Sequence, residues 1–229
     1  ARRIAKTNPS VPILHTLLPY TVAQEVLRRG RKKSVRDSAI YLDQPVGRQF
    51  DLLRVALPQH KRVAVILGPT TKAQAPELRN AAHERELKLQ VATIAKQDEM
   101  QPALEDVLDT SQVLISVPDP LIYQNETIHH LLLTTYRHRI PVVGLSKSSV
   151  ETGALLGVYS TPEHIGRQLG EILASLPVKG EAKLPPAQGP RYFTLSVNRH
   201  VAASLDLALD DENTLLRKLD ALQRPSETR

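Results

Sequence analysis

Short apolar runs recur along the chain, and each is closed by a proline, a glycine or an acidic residue before a segment of different periodicity begins. The clearest is Val113, Leu114, Ile115, Ser116, Val117, stopped by Pro118-Asp119-Pro120. A nearly continuous apolar stretch of strand length reads as a strand buried on both faces of a parallel sheet. Proline cannot donate to a ladder and disfavours helix in the residue before it, so this strand ends at Pro118 and leaves Asp119 at its carboxyl end. Comparable runs predict strands at 11–18, 38–42, 62–67, 89–94, 141–145, 153–159 and 192–197. Between them lie helices. One covers 22–29 with Thr21 as N-cap. Another follows Asp43-Gln44-Pro45 with Phe50, Leu53 and Leu57 on one face. A third runs from Gly68-Pro69-Thr70 to about Leu87, and a fourth from Asp98 through Ala103, Leu104, Val107 and Leu108. Asn125 is placed to cap a helix through Ile128, Leu131, Leu132 and Tyr136. Residues 146–152 form a short polar turn or helix. Thr161 caps a helix with Pro162 at its first position, running to about Leu176. Asn198 caps 199–205, and acidic residues open a last helix over 211–222. Strand and helix alternate at least six times, the pattern of parallel sheets with helices on both faces.

Composition narrows this picture. The 229 residues suffice for one large domain or two lobes, and 41% are apolar, ample for a core. Aromatics are only 3%, so that core is aliphatic. The absence of cysteine excludes disulfides, thiolate chemistry and cysteine-based zinc sites and leaves the compartment open. No run approaches the roughly 18 apolar residues of a membrane span, and no signal peptide is visible. The first residues read as the end of a helix followed by a turn. Proline and glycine break the rhythm over 177–190, a surface connection or hinge, and 223–229 is expected to be a disordered tail. The net charge of +6 gathers in Arg28, Arg29, Arg31, Lys32, Lys33 and Arg36. No stacking aromatics interrupt that run, so it reads as a solvated loop and no nucleic-acid partner is expected.

The motifs of common catalysts are missing: no GxSxG elbow, no GxxxxGK[ST] loop, no HExxH. His129 and His130 are adjacent and point to different sides of their helix, so they cannot share a metal. Polar residues instead collect at the carboxyl ends of the strands: Tyr20, Asp43 and Gln44, Thr70 and Thr71, Asp119 with Tyr123 and Asn125, Ser146 to Ser148, and Ser160 with Thr161. In open α/β sheets that edge takes the ligand, and such residues fix a small polar ligand without reactive groups. The same residues also serve as helix caps and turn formers.

Here the chain resembles a known family. LPQHKRVAVILGPTT, SQVLISVPDPLIYQNETI, RIPVVGLSKSSVETGALLGVYSTPEHIGRQLGEIL and FTLSVNRHVAASLDLALDDE, in that order, resemble the tryptophan/tyrosine-type ABC-transporter substrate-binding protein family, with its periplasmic binding protein type I fold. NPSVPILHTLLP and SAIYLDQPVGRQFDLLRVALP resemble the later part of the family's first lobe. The resemblance implies two Rossmann-like α/β lobes with parallel sheets flanked by helices, the first lacking its amino-terminal elements. Lobe 1 would hold 1–58 and about 153–178, and lobe 2 59–152 and about 179–222. It also implies a solute bound in an interlobe cleft with hinge closure, no catalysis, no cofactor, and an ABC permease or membrane sensor as partner in a periplasmic or otherwise extracytoplasmic setting. Asp119, Ser146 and Gly153 match family positions facing the cleft, and Tyr41 and Asp43 lie where the first lobe contributes. Leu18-Pro19-Tyr20 and Pro118-Asp119-Pro120 replace the family's usual residues. The alternatives from the residues alone are an α/β enzyme acting on a sugar- or nucleotide-type substrate and the ligand-sensing domain of a regulator.

Overall fold

A computed structural model describes residues 12–30, 37–177 and 183–223. Arg31, Lys32, Lys33 and Arg36 of the basic run, the start of the first predicted strand and residues 224–229 of the tail lie outside the described residues. The chain divides into two compact units, Ala1–Gln44 with Ser160–Phe193, and Pro45–Tyr159 with Thr194–Arg229.

In the first unit β1 (Leu14–Leu18) leads into α1 (Tyr20–Gly30) and pairs in parallel with β2 (Ser38–Tyr41). The register slips between Thr16 and Leu18, and Leu17 takes a positive φ of 58°. That is a bulge at the carboxyl end of the strand. Helix α7 (Pro162–Ala174) packs Ile165 and Ile172 against Ile40, with Leu14 and Leu169 beside them. The segment after α7 runs along β2: Gln188 bridges Ile40 in parallel, and Ser38 donates to the Pro185 carbonyl at 2.5 Å. The stretch expected to be a surface connection or hinge thus pairs in part with the sheet edge.

The second unit holds α2 (Val46–Ala56), β3 (Arg62–Leu67), α3 (Ala75–His83), β4 (Lys88–Thr93), α4 (Met100–Leu108), β5 (Val113–Ile115), α5 (Asn125–Arg137), β6 (Val142–Gly144), α6 (Lys147–Thr152), β7 (Leu156–Tyr159), β8 (Thr194–Val197), α8 (Arg199–Ser204) and α9 (Glu212–Gln223). Its six strands are ordered β4-β3-β5-β6-β7-β8. The first five are parallel, as their continuous apolar runs require: every residue from Val63 to Leu67 is buried, and so is all of β5. One core gathers Ala64 and Ile66 of β3, Leu114, Val142, and Leu104, Val107 and Leu131 from α4 and α5.

Four expectations need correction. Strand β8 runs antiparallel to β7, with Tyr159 opposite Thr194. The chain leaves this sheet at the carboxyl end of β7 and re-enters at the same edge, so the returning strand must run back. Helix α2 and β7 were assigned to the first lobe; both lie in the second unit. Phe50, Leu52 and Leu53 are almost fully buried there, and α2 also buries Arg48, Gln49 and Asp51. Asp51 is held by Arg85 at 2.7 and 3.2 Å and by Gln223 of α9 at 2.5 Å. Gln223 therefore ends a helix instead of opening a tail. Residues 183–193 go the other way, into the first unit, because they pair with β2 and with Gln168.

Candidate functional site

Strand β4 lies on one side of β3, and β5, next in sequence, lies on the other. The connections leaving β3 and β5 therefore diverge at their carboxyl ends. Such a topological switch point is where open α/β sheets take ligands. Two loops meet there: Gly68 to Thr71 after β3 and Ser116 to Pro120 after β5.

Asp119 joins them. Its Oδ2 accepts the Thr70 N–H at 3.1 Å, the Thr70 hydroxyl at 2.7 Å, the Thr71 N–H at 3.1 Å and the Thr71 hydroxyl at 2.9 Å. Its Oδ1 accepts the Leu121 N–H at 2.9 Å. Only 1% of the residue is exposed. A Cβ on Gly68 would meet Asp119 Oδ1 at 2.3 Å, so glycine is what lets the carboxylate lie so close to β3. Burial alone raises the Asp119 carboxyl, but the bonds from Thr70, Leu121 and Thr71 outweigh it and hold the group below the ordinary aspartate value. This carboxylate, expected to greet a ligand, is spent on the framework.

The other candidates sort by place. The Tyr123 hydroxyl bonds to Ser116 and the Val117 backbone, and burial pushes its ionisation upward. Helix α5 is entered through Gln124, one residue before the expected cap; the Asn125 side chain lies outside the described residues. Ser146 caps α6: its Oγ accepts the Ser149 N–H at 3.1 Å and its own N–H donates to Ser149 Oγ at 3.0 Å. Gly153 closes α6 with φ 140° ahead of β7, so it sits at the amino edge, opposite the expected ligand edge, and glycine serves the backbone there. Ser160, in the first unit, donates to the Tyr192 carbonyl at 2.6 Å and accepts from Gln44 at 2.9 Å.

The first unit repeats the acidic device. Asp43, after β2, accepts the Tyr20 N–H at 2.5 Å and so caps α1 from a distance. Thr21, the expected cap, is inside the helix. Burial is the largest influence on Asp43 and raises its carboxyl, with the Tyr20 bond offsetting part. The rings of Tyr20 and Tyr41 meet edge to face, centroids 5.0 Å apart. Leu17 and Leu42 are exposed at the same end of the strands. A hollow of ≈ 620 Å³ in this unit lies towards the end of α7, bordered by Glu171, Ser175, Lys183, Gln188 and Arg191.

Among the described residues no cluster of His, Asp or Glu could hold a metal, and no helix is long and apolar enough to cross a membrane. Thr70 was read in the sequence, with Thr71, as one of several polar residues at the strand ends and was given no role of its own. Its bond to Asp119, 49 positions later, has no local signature.

The architecture is that of the periplasmic binding protein type I class, and solved structures share it. A conserved domain protein from Vibrio cholerae is 20% identical, with a TM-score of 0.68 over 94% of this chain and 72% of that one. An ABC domain from Streptococcus pneumonia, solved with L-Trp, is 13% identical, with a TM-score of 0.67 over 94% and 72%. A ligand-free, open substrate binding protein with adhesive properties from Clostridium difficile is 19% identical, with a TM-score of 0.68 over 92% and 72%. No curated protein matches the sequence. The profile of the ABC transporter substrate binding protein family matches residues 39–218, and the chain belongs to that family. Its role is solute binding.

Proposed function

We propose that the chain binds a small polar solute without chemical conversion, at the carboxyl edge of the six-stranded sheet where β3 and β5 part. The carrying observation is the switch point itself: two divergent loops, fixed to each other by Asp119, leave Thr70 exposed beside them. Ser146 follows β6 at the same edge, and Tyr20, Tyr41 and Asp43 form the corresponding edge of the first unit. Family membership supports an extracytoplasmic location and delivery of the solute to an ABC permease or a membrane sensor. One solved neighbour holds L-Trp and another, from Acidothermus cellulolyticus, holds myo-inositol, so amino acids and polyols both belong among the probes.

A thermal-shift panel of amino acids, nucleosides, sugars and polyols tests this. A solute that binds only the folded chain stabilises it by about 2.7 kcal/mol at a hundredfold excess over its Kd. One chemical class should raise the Tm, with no turnover of the compound by mass spectrometry. A panel without any shift rejects the solute-binding reading, and conversion of the bound compound rejects its non-catalytic part.

A further inference from the structure

The two loops of the switch point carry three hydroxyls, and their bonds differ. Thr71 is fully buried; it accepts from the Gly68 N–H at 3.1 Å and donates to Asp119. Ser116 is 1% exposed and bonds to Tyr123. Thr70 is exposed, and its hydroxyl donates to Asp119 Oδ2 at 2.7 Å while its N–H holds the same oxygen. A hydroxyl has one proton and two lone pairs. With the proton committed inward, Thr70 Oγ1 can offer a solute only lone pairs. The carboxylate behind it, held ionised by its other donors, polarises the O–H bond and strengthens the oxygen as acceptor.

We infer that Thr70 is a specificity-determining residue of the solute site: a hydrogen-bond acceptor, locked in that role by Asp119, that selects solutes presenting an N–H or O–H donor at this edge. An ammonium is favoured over a neutral hydroxyl, because the negative charge of Asp119 lies directly behind the contact. A carboxylate or phosphate oxygen is disfavoured there, since it meets lone pairs and a like charge. Asp119 is a positioning residue that acts through Thr70. The inference rests on the solute-binding reading and adds the polarity of one contact to it.

The test is calorimetric titration of the intact chain with matched solutes differing by one donor group: L-phenylalanine against 3-phenylpropanoate, L-leucine against 4-methylpentanoate, adenosine against purine riboside, and D-ribose and myo-inositol each against their monodeoxy forms. Wild type should prefer the donor-bearing member. T70S, which keeps the hydroxyl, should retain that preference within about threefold. T70V, nearly isosteric but without lone pairs, should reduce it by roughly tenfold or more, the size expected for a hydrogen bond to a charged group. The ratio of affinities within one variant does not depend on how much of that variant is folded, so a purely structural loss leaves the ratio unchanged. A preference retained in T70V, or absent in wild type, overturns the role of Thr70 while leaving solute binding standing. Failure of wild type to bind any member overturns both.

Discussion

Replacing Asp119 should unfold the loops of the second unit's ligand edge, and Gly68 should share that fate. Five donors converge on the carboxylate. In Asp119→Ala the two threonine hydroxyls can turn elsewhere: Thr71 already lies 3.5 Å from the Gly68 carbonyl, and Thr70 is exposed. The Leu121 N–H cannot turn, whereas the Thr71 N–H keeps a 3.2 Å bond to the Gly68 carbonyl. An amide left unpaired costs about 1–3 kcal/mol, a sizeable share of the roughly 5–15 kcal/mol that holds a domain folded. Gly68→Ala reaches the same state from the other side. Its methyl would lie 2.3 Å from Oδ1 and 2.4 Å from Cγ, so the carboxylate must leave its donors. Because both substitutions break one set of bonds, the double variant should lose that set once. Its cost should fall near that of Asp119→Ala alone, short of the sum by about 1 kcal/mol or more, within the range measured for residues in contact. Urea unfolding of the four proteins, followed by far-ultraviolet circular dichroism, gives the cycle. Additive losses, or a single Asp119→Ala loss under about 0.5 kcal/mol, would refute the tie between the loops.

Two further outcomes follow from the same chemistry. Asp119 has a lowered folded pKa, so the unfolded chain takes up its proton first. Its stabilisation is full above the ordinary aspartate value and fades as pH falls through the lowered one, whereas the folded-state pKa of Asp43 is raised, so its ionisation costs stability as pH rises from the ordinary value through the raised one. Melts from pH 3 to pH 7 should therefore show Asp119→Asn losing the acid-side fall and Asp43→Asn gaining Tm towards neutrality, and the same slope in all three proteins would contradict both assignments. Arg85→Met should cost about 3 kcal/mol, because it strips a bidentate guanidinium from Asp51, which is 4% exposed; an unchanged urea midpoint would show that Gln223 suffices.

Legibility followed distance along the chain. Thr161 and Asn198 cap α7 and α8 as read, accepting from His164 and Val201, because a cap is settled within three residues. The buried strands were legible for a similar reason: Val63 to Leu67 and Val113 to Ile115 carry their two-sided burial in composition. What failed depended on partners far away. Thr21 looked like the start of α1, but the group that caps it is Asp43, beyond the next strand. Helix α2 carries Arg48, Gln49 and Asp51, which look like a solvent face; α9, arriving from the end of the chain, buries them. The antiparallel β8 was invisible because direction depends on which edge the chain returns to, which its own six-residue pattern does not encode.

The acidic residues show why a site read from edge chemistry alone is ambiguous. Asp43 and Asp119 each end a strand, and each reaches the N–H groups that open the segment after the neighbouring parallel strand, Tyr20 beside β2 and Thr70 with Thr71 beside β5. Parallel strands bring this about, because they deliver their carboxyl ends, and hence the unpaired amides that follow, side by side. An acid at such an edge therefore has two uses that composition cannot separate: receiving a solute, or tying adjacent loops. Saturation separates them. Asp119 takes five donors and is sealed from solvent, and burial is outweighed by its bonds. Asp43 is half-buried, and burial outweighs the Tyr20 bond. A carboxylate whose charge is under-compensated gains most from a donor brought by a solute. Of the two acids named from the sequence, Asp43 is thus the one whose energetics still favour a ligand, and Asp119 exerts its influence through the hydroxyl it holds.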